Sequence, residues 1–123
     1  PYKLNLLNDH MLVFIMPKEN SDMNYLMSVF SDFNKKEFST QTIEVSSLMM
    51  GLDQHILIIK TYMDYNGSLN YELKALADKG VMKEMLKLNF EKILISKDNF
   101  SDFYKDKDLQ GYKDFYKKNY PAI

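Results

Sequence analysis

The 123-residue sequence has no cysteine, no tryptophan and no arginine, and only three prolines and four glycines. Its charges nearly cancel, with 16 basic side chains, all of them lysine, against 17 acidic ones. Without cysteine there is no thiol nucleophile, thiolate zinc site or iron–sulfur cluster. Without arginine, the planar fork that grips phosphate and carboxylate bidentately is missing. A net charge of −1 removes the electrostatic case for nucleic-acid binding, which needs a basic face. Long apolar runs are missing too. The longest, Met11–Met16, has six residues, against about 20 for a membrane span. It also lacks the basic flank and small-residue cleavage site of a signal peptide. Because the sequence opens on Pro1, it is expected to be either a mature form or a module of a longer protein, and the missing signal says nothing about compartment.

What is present is a single domain's worth of apolar residues, 46% of the chain, enough to build a core without disulfide or metal staples. Residues 1–9 read as a lead-in. Met11–Met16, closed by Pro17 and a polar stretch, reads as a strand buried on both faces. Ser21 is expected to cap the next helix, with Asp22 in its first turn. Leu26, Val29, Phe30 and Phe33 form its apolar stripe, and it ends near Glu37. Thr42–Met49 alternates apolar and polar residues and predicts a half-exposed strand. Gly51–Gln54 supplies turn chemistry before a central strand, His55–Tyr62. A second helix is expected after Asn66-Gly67, with Leu69, Leu73 and Leu76 inward and Gly80 as its stop. Val81–Leu88 predicts a short helical turn whose apolar side is Met82, Met85 and Leu86, followed by a fourth strand, Phe90–Ser96.

This order, β-α-β-β-α-β, is that of an α+β ferredoxin-like antiparallel sheet with strand order 4-1-3-2. Residues 97–123 add a helical tail, with helices near 99–106 and 109–119, and carry seven aromatic residues: Phe100, Phe103, Tyr104, Tyr112, Phe115, Tyr116 and Tyr120. The central strands are apolar at both parities. Three helices' worth of sequence on one face leaves the other to be covered either by the aromatic tail or by another molecule. Those seven aromatics are accordingly the candidate interaction surface for a protein partner or a second copy.

Candidate chemistry is sparse. His10 and His55 each precede a strand, at opposite ends of neighbouring antiparallel strands, so a shared metal site is not expected. The methionine pairs Met23/Met27, Met49/Met50 and Met82/Met85 have thioethers suited to soft copper, yet sit where methionine fills cores. Asp98, Asp102, Asp106 and Asp108 alternate with lysines and lack the turn glycine and terminal glutamate of a calcium loop, so they read as a solvated helix face. Asp98 is a candidate cap for the following helix. There is no phosphate-binding glycine loop, nucleophile elbow or zinc-protease motif. No catalytic residue, metal or cofactor is expected.

The segments HMLVFIMP, SVFSDFNKKEFS, IEVSSLMMGLDQHILIIKTY and ILISKDNFSDFYKDKDLQGYKDFYKKNYP together resemble one module. It is the C-terminal domain of Bacteroidetes tetratricopeptide-repeat lipoproteins of gliding motility and type IX secretion, the SprE/PorW type. The likeness spans roughly 10–121, and its most specific parts are Asp32-Phe33-Asn34 and the closing aromatic pattern. It implies a cell-envelope, periplasmic setting and a non-catalytic scaffolding role in an export machine, and it supplies no catalytic residue. A small-ligand-binding regulatory domain is the alternative, since ferredoxin-like sheets hold effectors between strand edges and helices.

Overall fold

In the computed structural model, residues 1–122 are described. They form a four-stranded antiparallel sheet and five helices. The strands are β1 (His10–Pro17), β2 (Glu44–Met50), β3 (Gln54–Met63) and β4 (Glu91–Ser96). The helices are α1 (Met23–Glu37), α2 (Tyr65–Ala77), α3 (Lys79–Met85), α4 (Lys97–Asp106) and α5 (Leu109–Asn119). The strands lie in the order β2-β3-β1-β4, which from the other edge reads 4-1-3-2. The two greasiest runs are therefore central, as expected, with β2 and β4 at the edges.

Alternation along the strands splits the apolar residues into two cores. Leu12, Phe14 and Met16 of β1 join Leu57, Ile59 and Leu94 on one face, beneath Leu26, Phe30 and Phe33 of α1, Tyr71 and Ala75 of α2, and Val81 and Met85 of α3. Met11, Val13 and Ile15 join Ile56, Ile58, Ile93 and Ile95 on the other, beneath Phe103 of α4 and Tyr112 of α5. The tail therefore folds back over the second face. Each fully buried Leu, Ile or Phe side chain contributes about 1.5–3 kcal/mol relative to exposure, so the doubled apolar parity of β1 and β3 is stabilising only because both layers exist.

All five helices begin in the same way. The side chains of Asp22, Asp64, Asp78, Ser96 and Asp108 accept from the backbone N–H three residues on, at Tyr25, Gly67, Val81, Asn99 and Gly111. Four expectations are corrected by this rule. Asp22, not Ser21, caps α1, because the Ser21 hydroxyl is engaged with the carbonyls of Pro17 and Lys18. Ser96, not Asp98, caps α4; Asp98 instead accepts a hydrogen bond from Asn8. Asn66-Gly67 lies inside the first turn of α2. Gly80 sits within α3, while Asp78 ends α2 and caps α3.

Of the leucine stripe expected for α2, Leu69 and Leu76 pack against the first core, and the expectation is corrected at Leu73. Leu73 is 52% exposed and Leu86, beyond α3, is 73% exposed. The buried residues of α2 are Tyr65, Ser68, Tyr71, Glu72 and Ala75. Their polar atoms are satisfied inside: the Ser68 and Thr61 hydroxyls lie 2.6 Å apart, and the Glu72 carboxylate is 2.8 Å from the Lys92 ammonium. A buried polar group is tolerated when it is paired in this way.

Residues 1–9 pack rather than trail. The Lys3 backbone exchanges two hydrogen bonds with the Asn99 side chain, at 3.0 and 2.8 Å. The Tyr65 N–H donates to the Leu6 carbonyl, so the lead-in stitches α4 to α2.

Candidate functional site

The two edges of the sheet are treated differently. Beside β4 runs α5. Its Tyr112 phenol donates 2.6 Å to the Leu94 carbonyl, and its Lys113 pairs with Glu91. Tyr116 continues onto α2, where its hydroxyl lies 2.9 Å from that of Tyr65. An unpaired strand edge is a template for another strand, and covering it with a helix removes that possibility. A small recess of about 180 Å³ remains between these elements, lined by Glu72, Lys92, Tyr112 and Tyr116 among others. The Glu72–Lys92 pair crosses it.

Among the described residues, β2 pairs only with β3. It contains no proline and no lysine, and its one charge, Glu44, stands at its start. Leu48 is 42% exposed and Met49 37%, and Leu52 stands out at the hairpin turn. The Tyr104 phenol reaches across from α4 to donate 2.7 Å to the Met49 carbonyl, leaving that oxygen a second lone pair. On the second face the first residues of α4, Lys97, Phe100 and Ser101, stand across from β2. A groove of about 420 Å³ opens there. Met11, Leu48, Ile58 and Phe100 give it apolar walls, and Ser46, Lys60, Tyr62 and Lys97 line it as well. At its rim the register of β1 with β3 shifts between His10 and Met11, and Tyr62 takes a left-handed backbone, φ 57°. The Tyr62 phenol is held 2.7 Å from the Glu44 carboxylate.

The seven aromatics marked in the sequence come together, but largely inside the protein. Phe103, Tyr112 and Tyr120 are buried, and Phe100, Tyr104, Phe115 and Tyr116 are half-buried. Edge and stacked contacts link them, Tyr116 and Tyr120 stacking at 4.4 Å and Phe100 lying beside Tyr104 at 5.9 Å. Tyr2 of the lead-in packs edge-on against Tyr112 at 5.2 Å. Of the seven, Phe100 and Tyr104 border the β2 side.

The two histidines sit at opposite ends of the sheet, His10 opposite Met63 and His55 opposite Met16. His10 is fully buried. Its Nδ1 faces the Asn8 carbonyl at 2.8 Å and its Nε2 faces the Tyr120 hydroxyl at 2.7 Å. A carbonyl only accepts, so Nδ1 carries the proton and Nε2 accepts from the phenol. Burial lowers the His10 pKa, outweighing the Asn8 carbonyl and the carboxylates of Asp64 and Asp9, which act the other way. His55 Nδ1 lies 2.8 Å from the Ser21 hydroxyl. That hydroxyl has carbonyl acceptors at 2.9 and 3.0 Å, so it donates to the backbone and accepts from His55. Such a serine pins the loop after β1 and has no proton-accepting base to activate it.

Met23 and Met85 are buried in the first core and Met50 in the second. Asp108 caps α5 and Asp98 bonds to Asn8, so the acidic ladder is divided between two helices. Among the described residues no three of His, Asp or Glu gather in a metal-binding cluster, and no helix is long and apolar enough to cross a membrane.

Asn34, in the Asp32-Phe33-Asn34 segment, accepts through its side-chain oxygen from the buried Tyr71 phenol at 2.5 Å; the groove, formed between β2, β3 and the start of α4, had no signal in composition or spacing. No family model, curated protein or solved structure matches the chain.

Proposed function

We propose that this chain is a non-catalytic protein-interaction module of the bacterial cell envelope, periplasmic, and linked to type IX secretion and gliding. The envelope setting rests on the resemblance of residues 10–121 to the C-terminal module of the tetratricopeptide-repeat lipoproteins. The fold is read as ferredoxin-like with an added tail, a reading supported by the element order and by the strand order 4-1-3-2. One observation carries the interaction role: the chain covers its β4 edge with its own α5 and leaves β2 uncovered, with Leu48, Met49 and Leu52 exposed beside it. Extended segments add to such edges through backbone hydrogen bonds, with alternate side chains in neighbouring pockets supplying specificity. The working surface is therefore the β2 edge and the groove beside it, rather than the body of the aromatic tail.

The test is recovery of a partner from envelope extracts on the immobilised domain. Leu48→Lys, at the exposed edge, should lose the partner; Lys117→Glu, on the outer side of α5, should keep it. Equal recovery by both variants contradicts the assignment.

A second reading, a small-ligand-binding regulatory domain, is favoured by the groove itself. Its volume lies in the range of small-molecule sites, and Lys60 is half-buried there with no carboxylate within salt-bridge distance among the described residues. A metabolite that raises the melting temperature of the wild type, and fails to do so for Lys60→Met, would favour this reading.

A further inference from the structure

The uncovered edge has the composition to pair with itself. We propose that β2 is a homodimerisation strand, joining two copies antiparallel about Ser47 into one continuous eight-stranded sheet. The inference rests on the reading of β2 as the docking edge and names the occupant as a second copy of this chain.

Isologous contacts require a surface complementary to itself, and β2 (Glu44-Val-Ser-Ser-Leu-Met-Met50), whose one charge stands at its start, meets that condition. With Ser47 on the two-fold axis, Val45 faces Met49 of the second copy on the first sheet face. Ser46 faces Leu48 of the second copy on the other face, and Glu44 faces Met50 of the second copy. No like charges are opposed, no large side chains collide and the small Ser47 meets itself at the axis. The groove supplies the shape argument. It lies over Ser46 and Ile58 beside Phe100, and Leu48 projects 42% exposed from the same face of the same strand. Placed opposite Ser46, Leu48 of one copy seats at the groove mouth of the other, and the symmetry makes the contact twice. Devices that usually prevent edge pairing are missing from β2: it has no lysine, no proline and no bulge against β3. The Tyr104 phenol occupies one lone pair of the Met49 carbonyl, and the second remains for an incoming N–H.

The chain has no native cysteine, so a single introduced thiol reports only intermolecular contact. Residues opposed across an antiparallel pair bring Cα atoms to about 4.5–5.5 Å, within disulfide reach. The experiment is mild oxidation of Ser47→Cys beside Lys117→Cys, with light scattering of the wild type over a range of concentrations. Expected are a covalent dimer for Ser47→Cys and none for Lys117→Cys, and a wild-type mass rising to twice the chain mass with concentration. Leu48→Lys should hold that mass at one chain with an unchanged melting curve. A wild type that stays at one chain mass throughout, with Ser47→Cys cross-linking no faster than Lys117→Cys, overturns the homodimer. In that event, loss of the envelope partner by monomeric Leu48→Lys leaves the docking-edge reading standing, and retention of it overturns that reading as well.

Discussion

The Tyr120 phenol donates a 2.7 Å hydrogen bond to Nε2 of His10, tying the residue that ends α5 to the first residue of β1. Around it Tyr65 and Tyr116 close an aromatic cluster, with Tyr65 and Tyr120 at 4.9 Å. The bond fixes the far end of the tail after α4 and α5 have crossed the second sheet face and turned around the β4 edge. Removing it with Tyr120→Phe leaves a buried acceptor unpaired, at a cost of about 1–3 kcal/mol. Urea unfolding of the variant at neutral pH measures that cost, and an unchanged midpoint would mean the bond carries no weight.

Burial of His10 makes stability depend on pH in a defined direction. Burial holds the His10 pKa below its unfolded value of about 6.5. The neutral ring is favoured in the folded state, so its contribution is complete above about pH 6.5 and falls away as pH drops through the folded pKa. In a titration followed by NMR, the His10 ring carbon is expected to keep its neutral chemical shift below the pH at which a free imidazole charges. A midpoint at or above the free value contradicts the arrangement.

Alkali acts on the other side. Burial raises the pKa of Tyr71, Tyr112, Tyr116 and Tyr120. Groups whose folded pKa lies above the unfolded value of about 10 stabilise fully below that pH and less and less above it. Unfolding midpoints should therefore fall above about pH 10, and phenolate absorbance should appear together with unfolding rather than before it. Four phenols titrating freely in the folded protein would contradict their burial.

The cover itself is tested at Phe103, fully buried on α4 against β1 and β4. Phe103→Ala should cost about 3–5 kcal/mol and increase binding of a hydrophobic dye, since the second sheet face loses its central plug. Phe100→Ala, half-buried at the groove rim, should cost clearly less. Equal costs would mean that the tail does not pack as described.

At the end of α4, Lys107 takes a left-handed backbone, φ 56°, with its N–H bonded to the Phe103 carbonyl at 2.7 Å. Glycine adopts this conformation without the penalty of a Cβ. Lys107→Gly removes a left-handed penalty of roughly 1–2 kcal/mol, partly offset by glycine's greater unfolded freedom, and is expected to raise the urea midpoint. A lowered midpoint would instead show that the contact of the Lys107 ammonium with the Tyr104 ring, at 5.6 Å, outweighs the strain.

Element order was legible because β1 and β3 are apolar at both parities, which only central strands require. Helix starts were less so. Ser21 and Asp22 are both good caps, and the choice between them falls to His55, 34 residues away and reached only through the sheet. Gly67 and Gly111 look like breaks in sequence, yet each is the third residue of its helix. A Cβ on Gly111 would lie 2.2 Å from the Asp108 carboxylate that caps it. Leu73 looks inward by spacing and is exposed, because α2 turns Tyr71 and Ala75 to the core. The candidate site was half legible. The aromatic tail stood out by composition, but whether those rings form a surface or a cover depends on where α5 turns. The openness of β2 follows from that same path; its alternating residues marked a half-exposed strand but not a free edge.

The central claim is that the tail closes the sheet at β4 and leaves it open at β2. Hydrogen exchange of peptides spanning 91–96 and 44–50, in dilute and in concentrated protein, addresses it most directly. Slow exchange is expected for 91–96 at every concentration, and for 44–50 fast exchange in dilute protein that slows as concentration rises. Protection of 44–50 equal to that of 91–96 in dilute protein, unchanged on concentration, would contradict it.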